Sequence, residues 1–281
     1  MDPYVKLDKL KNFLKDLGSA VIGFSGGVDS SFLLKVAHDV LGSNVLAVTA
    51  VSEVTSAREL QETEKFAQMI GVEHIKVKTN ELAIEEFARG VKDRCYYCKK
   101  LRFSEMMNLA KEKGYKYVLD GSNVDDIGDY RPGMRAVSEL GVVSPLKEVG
   151  MTKEDIRFLS KDLNLPTWNK PSFACLASRI PYDEPITAEK LHMVEQAENY
   201  LADLGFTQYR VRHHGEIARI EVAPEERSKF FSKKIRNNPK QKLIKVYIKS
   251  ENLNFFSLFA CLNKEGIPPK INPKNNDLNS I

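Results

Sequence analysis

The sequence predicts an α/β protein: a doubly wound, mostly parallel sheet followed by a smaller α+β C-terminal domain. Short apolar runs (AVIGF, NVLAVTAV, HIKVK and YKYVLDG) alternate with helical patterns over the first half of the chain. Strands alternating with helices of this length make a parallel sheet covered on both faces. Beyond a proline-rich stretch the pattern changes to one long helix and an alternating hairpin, YRVRHHGEIARIEV.

The elements follow in order. An amphipathic helix is expected from Asp8 to Leu17, then a strand ending at Phe24, the turn SGGVDSS, and a helix starting near Ser30 that Gly42 stops. NVLAVTAV gives a second strand, SAREL to MIG a helix, and HIKVK a third strand. KKLRFSEMMNLAKEKG reads as a helix ending at Gly114, and YKYVLDG as the fourth strand. MTKEDIRFLSKDLNLP opens on a capping box from Thr152 to Asp155 and stops before Pro166. A helix from Ala188 to Leu204, the hairpin turning near Gly215, and a strand in KLIKVYIK complete the pattern. The boundary falls near Pro181–Pro185, giving domains over 1–183 and 184–250 and a polar, partly disordered tail over 251–281. Ligands of such sheets lie at the carboxyl ends of the strands, which places the loops SGGVDSS, VSE and GSNVDDIGDYRPG at the site.

Composition bounds the class. With 281 residues, 42% hydrophobic and 28% charged, the chain reads as a soluble globular protein. No apolar run is long enough to cross a bilayer and MDPYVKLDKLKNFL is not a signal peptide, so a cytoplasmic protein without membrane partners is expected. The net charge is +4, and nine Lys/Arg with no Asp/Glu fall between Arg227 and Lys249. A solvated face is the plainer reading of that run; nucleic acid is the lesser one, since aromatic interleaving is thin.

SGGVDSS is a strand-to-helix turn in which Gly26 and Gly27 let a ligand approach the backbone. The following helix directs free N–H groups and its positive dipole end at that ligand, and Ser25 and Ser30 add hydroxyls. Asp29 suits a phosphate site when it holds a magnesium ion. The turn lacks the Gly-Lys-Ser/Thr ending of a Walker A loop. It resembles the PP-loop of the N-type ATP pyrophosphatases (adenine nucleotide alpha hydrolase-like), which implies ATP cleavage between the α- and β-phosphates and adenylation of a substrate.

Cys95 and Cys98 stand three apart in RCYYCKK, and Cys175 lies far off in PSFACLASRIPY. Cys261, in an apolar setting, reads as a buried inert thiol. A structural disulfide is disfavoured in a reducing compartment, and a closed zinc site needs a fourth ligand that stands at no motif-like spacing. Three thiolates would suit a [4Fe–4S] cluster with one exchangeable iron, and Arg94, Lys99 and Lys100 are expected to help hold them deprotonated.

Together SGGVDSS, LDGSNVDDIGDYRPG, WNKPSFACLASRIPY and YRVRHHGEIARIE resemble, in this order, the LarE family of ATP-dependent sulfur transferases (pyridinium-3,5-bisthiocarboxylic acid mononucleotide synthases). The likeness runs from about Leu10 to Val222. It implies adenylation of a carboxylate on a pyridinium mononucleotide, then displacement of AMP by sulfur, in assembly of a nickel-pincer cofactor. In one version of the chemistry the cysteine of ACLASR gives up its own sulfur and becomes dehydroalanine. In the other, three cysteines hold a [4Fe–4S] cluster that carries it. Having Cys95, Cys98 and Cys175, this chain points to the second version.

The resemblance also implies roles for single residues. Arg210 and Arg212 would bind the substrate phosphate, and Glu198 and Glu221 would lie near the reactive sulfur. Gly121, Asp125, Asp126, Asp129 and Arg131, in the loop after the fourth strand, would face nucleotide or substrate; ATP, Mg²⁺ and a homo-oligomer, a hexamer, are implied as well. His213 and His214 receive no role. Two departures stand out: Asp183 replaces a glycine frequent after RIPY, and the chain after Ile248 does not resemble the family's usual ending. Rival readings are a PP-loop tRNA thiolase with a [4Fe–4S] cluster, and a ligase or binding protein without sulfur chemistry.

Overall fold

The four apolar runs become β1 (Ala20–Gly23), β2 (Val45–Val51), β3 (Glu73–Lys78) and β4 (Tyr117–Leu119), a parallel sheet in the order β3-β2-β1-β4. This is seen in a computed structural model of the chain, which describes residues 1–126, 132–215, 217–231, 247–249 and 256–261. Strand order reverses at β1, whose neighbours are β2 and β4, so a crevice opens beyond the carboxyl ends of β1 and β4. Val143 extends the pairing by one bridge to Leu119.

The helices lie where the 3.6-residue pattern placed them, with three shifted starts. α1 (Pro3–Leu17) begins before Asp8, because Asp2 accepts the Tyr4 N–H at 2.7 Å and Pro3 is pre-set for the first helical position. α2 (Val28–Leu41) begins at Val28, not Ser30, with Gly27 at its cap. The later helices are α3 (Ala57–Ile70), α4 (Glu85–Ala88), α5 (Arg94–Glu112), α6 (Pro132–Glu139), α7 (Pro145–Glu148) and α8 (Lys153–Asp162). α5 starts at Arg94 rather than Lys99, which draws RCYYC into its first turns.

Alternate strand residues serve opposite faces of the sheet. Ala20, Ile22 and Ala47 pack with Leu10 and Leu14 of α1, Phe32 of α2, Phe66 of α3 and Leu159 of α8. Val21, Leu46 and Val48 pack with Phe103 and Met106 of α5 and Val137 of α6. Both faces are therefore covered, and polar groups gather at the strand ends.

The capping box of α8 also ties down α1. Asp155 accepts from the Thr152 N–H and hydroxyl, both at 2.8 Å, and from Lys6 Nζ at 2.6 Å. Burial would raise this carboxyl, but Lys6 and Thr152 outweigh it and hold it below 3.8. A lowered folded value means the contribution is complete above 3.8 and lost as pH falls through the folded value. Asp155→Asn should therefore cost about 1 kcal/mol at pH 7. In urea unfolding the gap to wild type should close as pH drops below the ordinary carboxylate range.

Contacts separate the chain into Met1–Ser178 with Tyr182–Leu191, and Arg179–Pro181 with His192–Ile281. The second unit takes most of α9 (Ala188–Asp203) and an antiparallel sheet of β5 (Tyr209–His214), β6 (Ile217–Val222), β7 (Tyr247–Lys249) and β8 (Phe256–Cys261), in the order β5-β6-β8-β7. β8 corrects the reading of 251–281 as a tail: it pairs with the whole of β6, from Ile217↔Cys261 to Val222↔Phe256. Only Tyr247–Lys249 of the strand expected in KLIKVYIK is described, and the side chain of Cys261 lies outside the described residues.

Candidate active site

The phosphate loop sits on β1 at the crevice. Gly26 has φ +71°, and a Cβ there would stand 2.9 Å from Thr63 Cγ2, so glycine is required twice over. Gly27 supplies no side-chain cap, which leaves the first N–H groups of α2 to a ligand. The Ser25 and Ser30 hydroxyls lie 3.1 Å apart, and Ser30 donates to Gly27 O at 3.3 Å. From behind, Lys170 Nζ donates to Gly26 O at 3.0 Å while paired with Glu59 and Glu62.

The loop after β4 closes over the same turn. Gly121 is explained by close packing, since a Cβ there would be 3.0 Å from Ser30 N. Buried Asp120 organises the strand end by accepting from the hydroxyls of Ser122 at 2.5 Å and Ser144 at 2.6 Å. Asp126 accepts the Asn123 N–H at 2.9 Å and Asp125 the Lys153 N–H at 2.7 Å, so these carboxylates shape the loop. Asp129 and Arg131, which the sequence assigned to nucleotide or substrate, lie outside the described residues.

Asp29 projects from the first turn of α2 and is salt-bridged through Oδ2 to Lys153, a residue the sequence reading passed over. Its Oδ1 is buried and makes no hydrogen bond of good geometry among the described residues, although the Asn123 side chain lies close enough to lower the carboxyl. Burial raises this carboxyl above its ordinary range, with Lys153 pulling it back. A hard oxygen donor left open beside a phosphate cradle fits a magnesium ion.

Cys95 and Cys98 share a face of α5 at i and i+3. Cys175 precedes a 3-10 turn, Leu176–Arg179, and is anchored by Leu176 N–H to Val54 O at 3.1 Å in the loop after β2. Its own carbonyl accepts from the Ser178 N–H at 3.0 Å and hydroxyl at 2.8 Å. The segment beyond is seated by Asp183 N–H on Gly90 O and Ile186 N–H on Ala88 O. Asp183, the departure from glycine, has φ +63°, the conformation that glycine adopts freely and Asp tolerates.

The three thiols lie within one another's electrostatic reach: Cys175 raises both Cys95 and Cys98. Among the described residues, no three His, Cys, Asp or Glu side chains stand as close as ligands on one metal ion. Arg94 and Lys99 pull the Cys95 thiol down, as expected of basic neighbours, but they are outweighed. Cys95 has exposed surface yet is enclosed enough that desolvation raises its thiol against Arg94 and Lys99. Burial pushes Cys98 up to about 12. Lys100 turns away to the Tyr96 hydroxyl at 2.9 Å. Thiols that keep their protons without metal release them on binding a soft cation, and a three-sulfur set suits iron.

Arg102 and Glu81, neither signalled by any motif, form the wall behind Cys98. Arg102 Nε donates to Glu81 Oε1 at 2.5 Å, and Cys98 Sγ donates to the same oxygen at 3.8 Å. The other end of Arg102 reaches the Ser52 and Thr55 hydroxyls. Burial would raise Glu81, but Arg102 and Ser52 hold it below its ordinary range.

In the second unit, Arg210 and Arg212 lie on the half-exposed face of β5, as their spacing implied. Arg210 faces Glu221 across the ladder and Arg212 faces Arg219, a third arginine the sequence reading missed. Arg212 Nε and an Arg219 terminal nitrogen both donate to Glu221 Oε1, at 2.7 and 2.8 Å. Arg210, Arg212 and Arg219 thus gather with Glu221 on one face of the hairpin. Burial, Arg179 and Arg212 lower the Arg210 guanidinium, as expected where cations crowd. Glu221 is held down by the arginines against burial. Glu198 is enclosed instead: Arg179 binds both its oxygens, at 2.7 and 3.0 Å, and the Val211 N–H adds a third bond at 2.9 Å.

Residues 6–108 match the family described as NAD synthase. The chain is 43% identical over 261 residues to an uncharacterized protein of Synechocystis, covering 93% of this chain and 94% of that one. It is 40% identical over 215 residues to the pyridinium-3,5-bisthiocarboxylic acid mononucleotide synthase of Lactiplantibacillus plantarum, covering 76% and 78%. An uncharacterized protein of Methanocaldococcus jannaschii is 31% identical over 246 residues, covering 86% and 91%. No helix among the described residues is long and apolar enough to cross a membrane.

Proposed function

The chain belongs to the family of pyridinium-3,5-bisthiocarboxylic acid mononucleotide synthases, the LarE family, and we propose that it uses ATP to turn a carboxylate of a pyridinium mononucleotide into a thiocarboxylate. Such a step would serve assembly of a nickel-pincer nucleotide cofactor. The reading is carried by one juxtaposition: a lysine-free phosphate loop after β1, and Cys175 anchored to the loop after the neighbouring β2.

The residues divide the work. A substrate carboxylate oxygen bonds to the α-phosphorus of ATP, and pyrophosphate leaves with the electron pair of the broken P–O bond. Ser25, Ser30 and the first N–H groups of α2 hold the phosphates, and Asp29 would hold magnesium. A sulfur nucleophile then attacks the activated acyl carbon and AMP departs. Arg210, Arg212 and Arg219 hold the substrate phosphate, with Glu221 fixing two of their guanidinium groups. Glu198 acts as a positioning residue through Arg179 and Val211.

Cys95, Cys98 and Cys175 are our assigned ligands for a [4Fe–4S] cluster, which would supply one exchangeable iron for sulfur delivery. The family resemblance extends the proposal to a hexameric assembly, testable by sedimentation. The reaction is tested by mass spectrometry of the product and by pyrophosphate release that depends on the mononucleotide carboxylate. After anaerobic preparation with iron and sulfide, Cys95→Ala should hold almost no cluster, by absorption and EPR, while keeping substrate-dependent pyrophosphate release. A fully metallated Cys95→Ala protein would sink the ligand assignment.

A further inference from the structure

The peptide between Gly26 and Gly27 has glycine on both sides, so the phosphate loop's own sequence leaves it free to turn over. Rotating it by half a turn changes ψ of Gly26 and φ of Gly27 and little else. The turned form carries Gly27 from its φ of −76° into the positive region that glycine alone enters freely. A phosphate distinguishes the two forms, since one turns an N–H toward it and the other a carbonyl oxygen. The restraint that chooses between them comes from outside the loop. Gly26 is buried, and among the described residues its carbonyl accepts only from Lys170 Nζ, at 3.0 Å. That ammonium has no proton left to give: Glu59 at 3.0 Å and Glu62 at 2.6 Å, both on α3, take the other two, and 11% of the side chain is exposed. The backbone of Lys170 is held as well, because Arg157 of α8 donates to the carbonyls of Trp168 at 2.8 Å and Lys170 at 2.9 Å. The 26–27 peptide is trans, so a carbonyl fixed toward Lys170 points the Gly27 N–H the opposite way. That N–H makes no hydrogen bond among the described residues.

We propose that Lys170 is a positioning residue of the phosphate loop: it touches no ligand, and holds the 26–27 peptide with its carbonyl turned back so that the Gly27 N–H faces the outer phosphates of ATP. The inference rests on the adenylation reading above. Without the ammonium, the buried Gly26 carbonyl loses its partner, and turning the peptide over is the way to recover one on the open side of the loop. The turned form sets a carbonyl oxygen against the phosphates and withdraws one N–H from them. Lys170 therefore acts on phosphate affinity through the backbone, while Glu59 and Glu62 neutralise its charge and keep it behind the loop.

Calorimetric titration of wild type, Lys170→Met, Gly27→Ala and the double variant with pyrophosphate, ATP and AMP tests this. Lys170→Met should bind pyrophosphate and ATP about tenfold more weakly, with AMP affinity held within about twofold. Alanine fits at position 27 in the present form, where its Cβ would meet only Ser25 Oγ at 3.5 Å, and it resists the turned form. In the Gly27→Ala background the loss caused by Lys170→Met should therefore shrink to about threefold or less, whatever Gly27→Ala costs alone. Unchanged pyrophosphate affinity in Lys170→Met overturns the proposal. So does an undiminished loss in the Gly27→Ala background, which would mark an effect of charge or of general loosening, and so does an equal loss for AMP. Should Gly27→Ala abolish binding, the comparison of pyrophosphate with AMP in Lys170→Met decides alone. If Lys170→Met does not fold, the neutral, polar Lys170→Gln takes its place in the same cycle, with the same deciding outcomes. A wild-type protein that binds neither ATP nor pyrophosphate would instead sink the adenylation reading, and this inference with it.

Discussion

Replacing Cys175 by alanine should abolish thiocarboxylate formation, by at least about a thousandfold, while leaving pyrophosphate release and formation of the acyl-adenylate in place. The two half-reactions separate because they draw on different parts of the molecule. Adenylation needs the turn after β1 and the start of α2, whose packing does not involve the thiol. Cys175 is exposed, and its backbone is held by Val54 and Ser178 through main-chain groups that alanine retains. The variant should therefore fold and bind ATP as wild type does. Both versions of the sulfur chemistry predict the loss, and two further measurements distinguish them. If Cys175 donates its own sulfur, spent wild-type protein is lighter at that residue by the mass of hydrogen sulfide. If Cys175 is a ligand, spent protein keeps its mass and Cys175→Ala loses bound iron. Wild-type thiocarboxylate yield from Cys175→Ala would refute both.

The strand–helix alternation was legible because it rests on local periodicity, and so was the turn after β1, whose glycines and flanking elements are adjacent in sequence. The start of α5 was not. Cys-Tyr-Tyr-Cys is a poor helix former by propensity, and the helix there is set by packing of its later turns, Phe103 and Met106, against the sheet. That shift puts both cysteines on one helical face. β8 was missed because its apolar run was read as part of a polar tail, although it pairs along the whole of β6.

Charge was the least legible property. Basic neighbours in RCYYCKK suggested ionised thiols, but enclosure outweighs them at Cys95 and Cys98, and enclosure cannot be read from one segment. Lys153, Arg219 and Arg102 escaped for the same reason. Lys153 and Arg102 gain their meaning from carboxylates 124 and 21 residues away, Asp29 and Glu81, and Arg219, which shares β6 with Glu221, from facing Arg212 across the ladder. Asp183 is the opposite case: noticed as a departure from glycine, it is accounted for by a positive φ at that position.

Arg179→Ala should produce the largest loss of stability, about 3–5 kcal/mol for the second unit, because it strands one charge of a buried pair. Arg179 is 2% exposed, and both Glu198 oxygens face its guanidinium. Without it, Glu198 keeps only the Val211 N–H among the described residues, inside a protein interior. Glu198→Ala removes the other half of the same buried pair and should also destabilise the second unit. The double variant Arg179→Met, Glu198→Leu removes both charges while keeping bulk, and should cost less than either single change. Urea unfolding followed by far-UV circular dichroism gives the ordering, and hydrogen exchange at the Val211 amide locates it. Additive losses in the double variant would show that the pair is not coupled as its geometry requires. A second consequence follows from Arg210, which already feels Glu198. In Arg179→Ala the uncompensated carboxylate draws on Arg210, so affinity for a mononucleotide should fall while affinity for its dephosphorylated nucleoside stays level.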